Sequence, residues 1–432
     1  MAVRAGAVVA VLLGVVPVLL APAPAAVAWW WLAGCVVLVG ADVLLAPSPV
    51  ALRLERSPDA RVRLGEVSSS TLAVTNAAGR RVRGVLRDAW VPSAGATGTR
   101  HDLDLPPGER RLLQTTLRPT RRGDRPADRV TVRLHGPLGL AARQRSVTVP
   151  GSVRALPPFR SRRHLPSRLD RLRQLDGRSA VRTRGQGTEF DSLRDYVDGD
   201  DVRSIDWRAT ARRRHVVVRT WQPERDRRVV LVLDTSRTSA ARVGDEPRLD
   251  AAMDAALLLA ALASRAGDRV DLLAGDRRVR ARVGSATDRG SLLHELVTAM
   301  APVEPVLVEA DWTALAGEVT RLTRHRALVV LLTALEPAAV EEGLLPVLPA
   351  LTAHHRVVLA SVADPDLDRW RADLDGPEQV YLAAAAERTD SRRRRTADAL
   401  GRLGVHVLDE PPEQLPPALA DHYLALKARG LL

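Results

Sequence analysis

The chain has 432 residues, room for two or three domains, and its 46% apolar and 27% charged residues exclude a disordered polypeptide. Its formal charge of +13 arises from 64 basic against 51 acidic residues. Lys427 is the single lysine, so this arginine bias is weak evidence for a nucleic-acid partner, and no specific nucleic acid is expected. The lone Cys35 excludes an internal disulfide framework and a multi-cysteine zinc site, and aromatics at 3% leave Val, Leu and Ala to fill any core.

Ala5 to Ala41 carries no charge, a run of 37 residues. As one helix it would measure about 56 Å at ~1.5 Å per residue, against a hydrocarbon core of ~30 Å. Pro22 and Pro24 divide it into two spans, about 5–21 and 25–46, a transmembrane hairpin filling residues 1–50. Trp29, Trp30 and Trp31 lie beside the turn, where indole rings favour the headgroup layer. Arg4 precedes the first span and Arg53, Arg56, Arg61 and Arg63 follow the second, which predicts two cytoplasmic ends at a cell membrane. A cleaved signal peptide ending in the Ala-Pro-Ala-Pro segment is the alternative for the first span. Leu32-Ala33-Gly34-Cys35 resembles a lipoprotein processing site, but apolar Val36–Val39 follows where a polar tether belongs.

Residues 51–150 alternate apolar with polar residues at Ser70–Thr75, Arg81–Leu86, Arg110–Leu117, Arg129–Leu134 and Arg145–Val149. Turn signals fall at 76–79, 106–108 and 122–124, a spacing that predicts an antiparallel, immunoglobulin-like β-sandwich. A basic connector follows, with ten arginines from Arg154 to Arg184, read as a linker that starts extended. A lipid- or RNA-binding anchor is the rival use of these arginines.

Six aspartates then fall between 191 and 206 with Arg194, Arg203 and Arg208 among them. Asp200 or Asp201 is placed to cap a helix through Arg212, with Val202, Ile205 and Ala209 inward. His215–Trp221 reads as a strand that hairpins into Arg228–Leu233. The cluster has two readings, an internal network of ion pairs and caps or a docking surface for a basic partner or cation.

Gly185, Gly187, Glu189, Phe190, Leu193, Arg194, Tyr196, Gly199, Asp200, Asp201, Arg203, Ile205, Asp206, Trp207, Ala211 and Arg212 together resemble the signature of the bacterial "domain of unknown function 58" family. More than a dozen positions fall in order within 28 residues, and the layout of the whole chain is similar too. The resemblance implies a membrane-anchored protein with a von Willebrand factor A-type domain, working with a MoxR-type AAA+ ATPase.

From 226 to 432 apolar strands alternate with helices, predicting a doubly wound, mostly parallel α/β sheet. Strands are expected at Val229–Leu233, Arg269–Ala274, Val279–Val283, Ala327–Thr333, Arg356–Val362 and Val405–Leu408. The intervening helices are Arg248–Ala266, Arg289–Met300, Trp312–Thr323, Glu336–Ala353, Ser391–Leu403 and Gln414–Arg429. Ligands collect at the carboxyl ends of such strands. There stands Asp234-Thr-Ser-Arg-Thr238, similar to a metal-ion-dependent adhesion site: Asp234, Ser236 and Thr238 would offer hard oxygens to Mg²⁺. The further acid and the Gly-Thr expected of that site are missing at Thr333-Ala334-Leu335-Glu336 and near Glu309-Ala310-Asp311, which leaves simple helix capping by Asp234 as the alternative. Arg392–Arg395 reads as a solvated helix face and His354-His355 as a surface pair. With no nucleophile elbow, Walker motif or His-Glu-x-x-His in the sequence, the expectation is a non-enzymatic, cytoplasm-facing protein-interaction module. The enzyme alternative is a metal-dependent hydrolase using Asp234 and the 191–206 aspartates.

Overall fold

The computed structural model describes residues 2–3, 5–182, 189–222, 227–284 and 290–432, with backbone alone for the parts of 176–192, 213 and 220–222 within these ranges. Two compact units result, Met1–Leu156 and Pro157–Leu432.

The first unit opens with an apolar helical hairpin. Its first arm runs Ala5–Leu13 and Val15–Leu20, its second Pro24–Leu45. The first arm breaks at Gly14, where Pro17 cannot bond the Leu13 carbonyl, and Trp31 packs against the break: a Cβ on Gly14 would lie 2.2 Å from its ring, and its Nε1 donates to the Ala10 carbonyl at 3.0 Å. Trp31 therefore packs against the first arm while staying 38% exposed, and Trp29 and Trp30 are more exposed still. The arms are unequal. The second arm, taken with the 3₁₀ turn that follows it to Ala51, is long and apolar enough to cross a membrane; the first, Ala5–Leu20, is shorter, so length supports one full span.

The rest of this unit is the expected β-sandwich. One antiparallel sheet orders Leu52–Arg56, Ser68–Asn76, Arg110–Leu117 and Ala96–Thr97. The other is built on Gly123–His135, flanked by Ala141–Val147, Val82–Trp90 with Arg100–Leu105, and Ser152–Leu156 with Ala60–Arg63. Leu72, Val74 and Leu113 of the first sheet meet Leu86, Val132 and Leu134 of the second in one core. Arg56, expected among the cations flanking the membrane span, is instead buried: it grips Asp88 across the two sheets at 2.6 Å, with Ser70, Thr115 and Trp90 completing the network. The turn expected at 122–124 becomes the start of a strand, because Gly123 takes φ +100° and pairs with Ala155. Leu52–Arg56, Ala60–Arg63, Arg100–Leu105 and Ser152–Leu156 are further strands, all short and the first three crowded with charge.

In the second unit the strands are β1 (Arg228–Asp234), β2 (Arg269–Gly275), β3 (Val279–Val283), β4 (Leu328–Leu332), β5 (Arg356–Val362) and β6 (His406–Glu410). Their order is β3-β2-β1-β4-β5-β6, parallel throughout except β3. Alternate residues of β1 point to opposite faces. Val230 and Val232 share a core with the helices Trp312–Leu322 and Leu348–His354, while Leu231 and Leu233 are equally buried on the other face. There the helices Arg248–Arg265 and Leu415–Ala428 pack on each other and on the sheet. The sheet is thus covered on both sides, which explains why its strands are almost uniformly apolar.

Several expectations are corrected. The connector is not extended beyond Leu156. Arg160–His164 is a 3₁₀ turn and Leu165–Arg182 a helix, pinned by Ser161 on the Asp254 carboxylate and by Arg168 on Asp421. Val217–Gln222 pairs with Glu189–Asp195 in its own two-stranded sheet, not with β1. The helix expected over 336–353 is interrupted by a π turn at Val340–Leu344 before Pro346. The helix expected from Ser391 starts instead at Pro377, and Asp366–Ala372 is a further helix. Arg393 is buried, paired with Asp409 and Ser361, and His355 is buried too, so neither belongs to a solvated surface.

Candidate functional site

The order reverses between β1 and β4, so a crevice opens where their carboxyl ends diverge. Asp234 is the last residue of β1 and Thr333 the first after β4. The Asp234 Oδ1 accepts from the Ser236 N–H at 2.8 Å. Its Oδ2 accepts from the Thr238 hydroxyl at 2.9 Å and the Thr333 hydroxyl at 2.6 Å. The Ser236 and Thr238 hydroxyls stand 3.1 Å apart. The three residues chosen from sequence therefore do converge, and Thr333 joins them.

Asp234 is 1% exposed. Burial pushes its carboxyl pKa upward against the hydrogen bonds from Thr333, Ser236 and Thr238. A desolvated carboxylate with three hydroxyl oxygens around it is an all-oxygen donor set. Such a set suits Mg²⁺, which is held through one or two carboxylates with waters completing the shell. The residues present fit that ion in kind, with one carboxylate where a second is usual.

The adjoining loops hold this turn in place. Thr235 donates its N–H to Gly275 and its hydroxyl to Asp276, and it accepts from the Val306 N–H. For Asp276, burial pushes the pKa up but Arg280, Thr235 and the Arg277 N–H outweigh it, leaving the carboxyl below its usual range. Above Asp234 lies a cavity of about 230 Å³, walled by Arg237, Glu309, Trp312 and the π turn with Glu342 and Gly343. A Cβ on Gly343 would come within 3.0 Å of the Trp312 ring, so a side chain there would crowd the wall. Arg237 pairs with Glu309 at 2.5 Å across the mouth. Asp311 caps the helix Trp312–Leu322 through the Ala314 N–H. The lining contains no histidine, cysteine or lysine. The sequence places the turn at Thr333–Glu336 beside the site but, looking there for an acid, passes over the Thr333 hydroxyl, and Glu342 is hidden in an irregular helix.

Within the signature, Gly185 and Gly187 lie outside the described residues, and Glu189 and Phe190 contribute backbone to the strand pairing with Val217–Gln222. Leu193 and Arg194 continue that strand, and the Tyr196 N–H bonds Val216. The Arg194 guanidinium meets Asp200 at 2.5 Å and holds its carboxyl below the usual range. Gly199 takes φ +104°, which allows the Asp200 turn. Asp201 caps the 3₁₀ turn Val202–Ser204 around Arg203. Ile205 bridges to Val218. Asp206 caps the helix Trp207–Arg213, and the Ala209 N–H and Arg219 lower its pKa. Trp207, Ala211 and Arg212 are exposed, as is Val202, which was expected inward. Asp200, Asp201 and Asp206 are thus spent on caps and ion pairs. No hydrogen bond or ion pair among the described residues joins them to the Asp234 cavity, as a shared hydrolytic site would need.

A family model described as "Protein of unknown function DUF58" matches residues 192–401. Uncharacterized protein Mb1516 of Mycobacterium bovis and Uncharacterized protein Rv1480 of Mycobacterium tuberculosis are each 30% identical over 189 residues, 42% of this chain. The chain spans 56% of the length of each of these relatives. Among solved structures, the CARDB domain of the PF1109 protein from Pyrococcus furiosus matches at 19% identity and TM-score 0.18, covering 24% of this chain and 91% of that one. An exo-β-N-acetylglucosaminidase from Vibrio harveyi matches at 12% identity and TM-score 0.20, covering 83% and 75%. The chain is therefore similar to the DUF58 family over the stretch that holds most of the signature and the whole Asp234 cavity.

Proposed function

We propose that this protein is a membrane-anchored, non-enzymatic interaction module whose α/β unit, of von Willebrand factor A type, docks a protein partner at the Asp234 cavity. The carrying observation is the buried Asp234 carboxylate, ringed by Ser236, Thr238 and Thr333 at the floor of an open cavity. The strand order and the antiparallel edge strand β3 support the A-type reading. Mg²⁺ held by Asp234, Ser236 and Thr238 would supply positive charge to attract a carboxylate from the partner. The hydroxyls in the lining donate to Asp234, and no histidine, cysteine or lysine stands beside them, an arrangement we read as binding rather than catalysis.

The partner in this reading is a MoxR-type AAA+ ATPase, and the α/β unit faces the cytoplasm. The apolar hairpin supports the anchor. Ala2–Val3 pairs with Ala141–Ala142 of the β-sandwich, and the second arm returns to the same sandwich. Both ends of the hairpin thus meet one domain, so if one arm crosses the bilayer the other brings the chain back.

The test is binding of the nanodisc-held protein to a purified MoxR-type ATPase, with Mg²⁺ present. Saturable binding that weakens at least tenfold in Asp234→Asn supports the reading. Absence of binding, or an affinity indifferent to that substitution, refutes it.

A further inference from the structure

The apolar hairpin does not simply enter the β-sandwich; it grips one of its loops. Asp42 lies three residues before the end of the second arm and is wholly buried. Its Oδ1 accepts from the Leu138 N–H at 2.7 Å, and its Oδ2 from the N–H groups of Leu140 and Ala141 at 2.8 and 2.7 Å. Three amides thereby replace the water that a carboxylate at the foot of an apolar helix would lose. The approach is close enough to demand glycine at 136, where a Cβ would lie 2.2 Å from the Asp42 Oδ1. The first arm touches the same loop, with the Gly6 Cβ position 3.4 Å from the Gly139 carbonyl oxygen.

The clamped loop, Gly136-Pro-Leu-Gly-Leu140, has no charged residue and an exposed tip, with Leu138 at 55%. Leu44, Leu45 and Val50, at and after the end of the second arm, are also exposed. Arg143, on the following strand, touches the Leu44 carbonyl and has no acidic partner among the described residues. At ~1.5 Å per residue, Asp42 sits about 4–5 Å inside the end of its helix, near the boundary between hydrocarbon and headgroups. An apolar tip held at that depth, with an exposed guanidinium just beyond it, matches the layering of a phospholipid interface.

We infer that the 136–140 loop is a membrane-contact element, seated in the phospholipid interface by Asp42, with Leu138 among the acyl chains and Arg143 at the phosphates. The inference rests on the anchor reading above. It adds that the β-sandwich meets the bilayer directly and in a fixed orientation.

The test uses the full chain in nanodiscs of phosphatidylcholine and phosphatidylglycerol, in a Cys35→Ser background, with a nitroxide on one introduced cysteine. The sites are Leu138→Cys, Val36→Cys in the second arm and Val67→Cys. Val67 is exposed and lies beyond the nine-residue strand Ser68–Asn76, ~30 Å from the helix exit. The expected result is stronger relaxation by oxygen than by a water-soluble nickel chelate at 36 and 138, and the reverse at 67. Adding Asp42→Ala should turn 138 water-accessible and leave 36 unchanged. A water-accessible label at 138 beside a lipid-exposed label at 36 overturns the inference and spares the anchor. Water access at both overturns the anchor reading and the inference together. Lipid exposure at 138 that survives Asp42→Ala overturns the role given to Asp42.

Discussion

Replacing Asp234 by Asn isolates the charge at the centre of the proposed site. The variant keeps an oxygen for the Ser236 N–H and turns an amide towards Thr238 and Thr333, whose hydroxyls can rotate to accept. Weaker hydrogen bonds cost about 1–2 kcal/mol, and release from burying a carboxylate offsets a similar amount. In chelator the two proteins should therefore unfold within about 1 kcal/mol of each other near neutral pH. Because Asp234's pKa is raised in the folded state, the native form holds the extra proton, so the carboxyl's contribution declines as pH climbs above the ordinary 3.8. Asn removes that slope. With Mg²⁺ at a hundredfold excess over its dissociation constant, native protein gains about 2.7 kcal/mol and the variant nothing. For a unit of this size that is roughly 5–10 °C, read by differential scanning calorimetry as an upward shift of the α/β transition. An equal shift in both proteins would place the ion elsewhere and refute the assignment.

Other outcomes follow from buried groups. Arg56→Ala should destabilise the β-sandwich by about 3–5 kcal/mol in denaturant titration, since Asp88 would be left buried and unpaired, whereas Arg56→Met with Asp88→Leu should recover most of it. A single-variant loss below 1 kcal/mol would contradict this. Burial first, then His406 and nearby arginines, lowers the pKa of His422 to about 4. Its depressed value contributes stability above the ordinary 6.5 that is lost as pH falls towards 4, about 1–2 kcal/mol after solvent screening. His422→Gln should flatten stability between pH 6.5 and 4. Ser161→Ala removes a hydroxyl from the buried Asp254 and should release the 160–182 segment, seen as faster hydrogen exchange across Leu165–Arg182 at small change in global stability.

How far the sequence speaks depends on whether the deciding contact is local. The strands of the α/β sheet were legible because burial on both faces leaves unbroken apolar runs, and Arg356–Val362 was placed to the residue. The Asp234 turn was legible because Ser236 and Thr238 lie within four residues of it. Thr333 lies 99 residues away, and its hydroxyl reaches Asp234 through strand order that no local pattern encodes. The sandwich was harder. Leu52–Arg56 looks like a charged flank until Asp88 arrives from the opposite sheet to satisfy Arg56. Asp42 was hidden for the same reason, as its three amide donors come from nearly a hundred residues downstream. The pairing of Val217–Gln222 failed because the sequence favours its nearer neighbour, β1, over Glu189–Asp195.

The docking claim is tested most directly by photo-crosslinking in living cells from Leu307, an exposed rim residue whose neighbours Val306 and Val308 bond the Asp234 turn. Benzoylphenylalanine at 307 should yield a discrete product containing the MoxR-type ATPase, and Asp234→Asn should abolish it. The same product at undiminished yield in the Asp234→Asn protein, or none in either, would contradict the account.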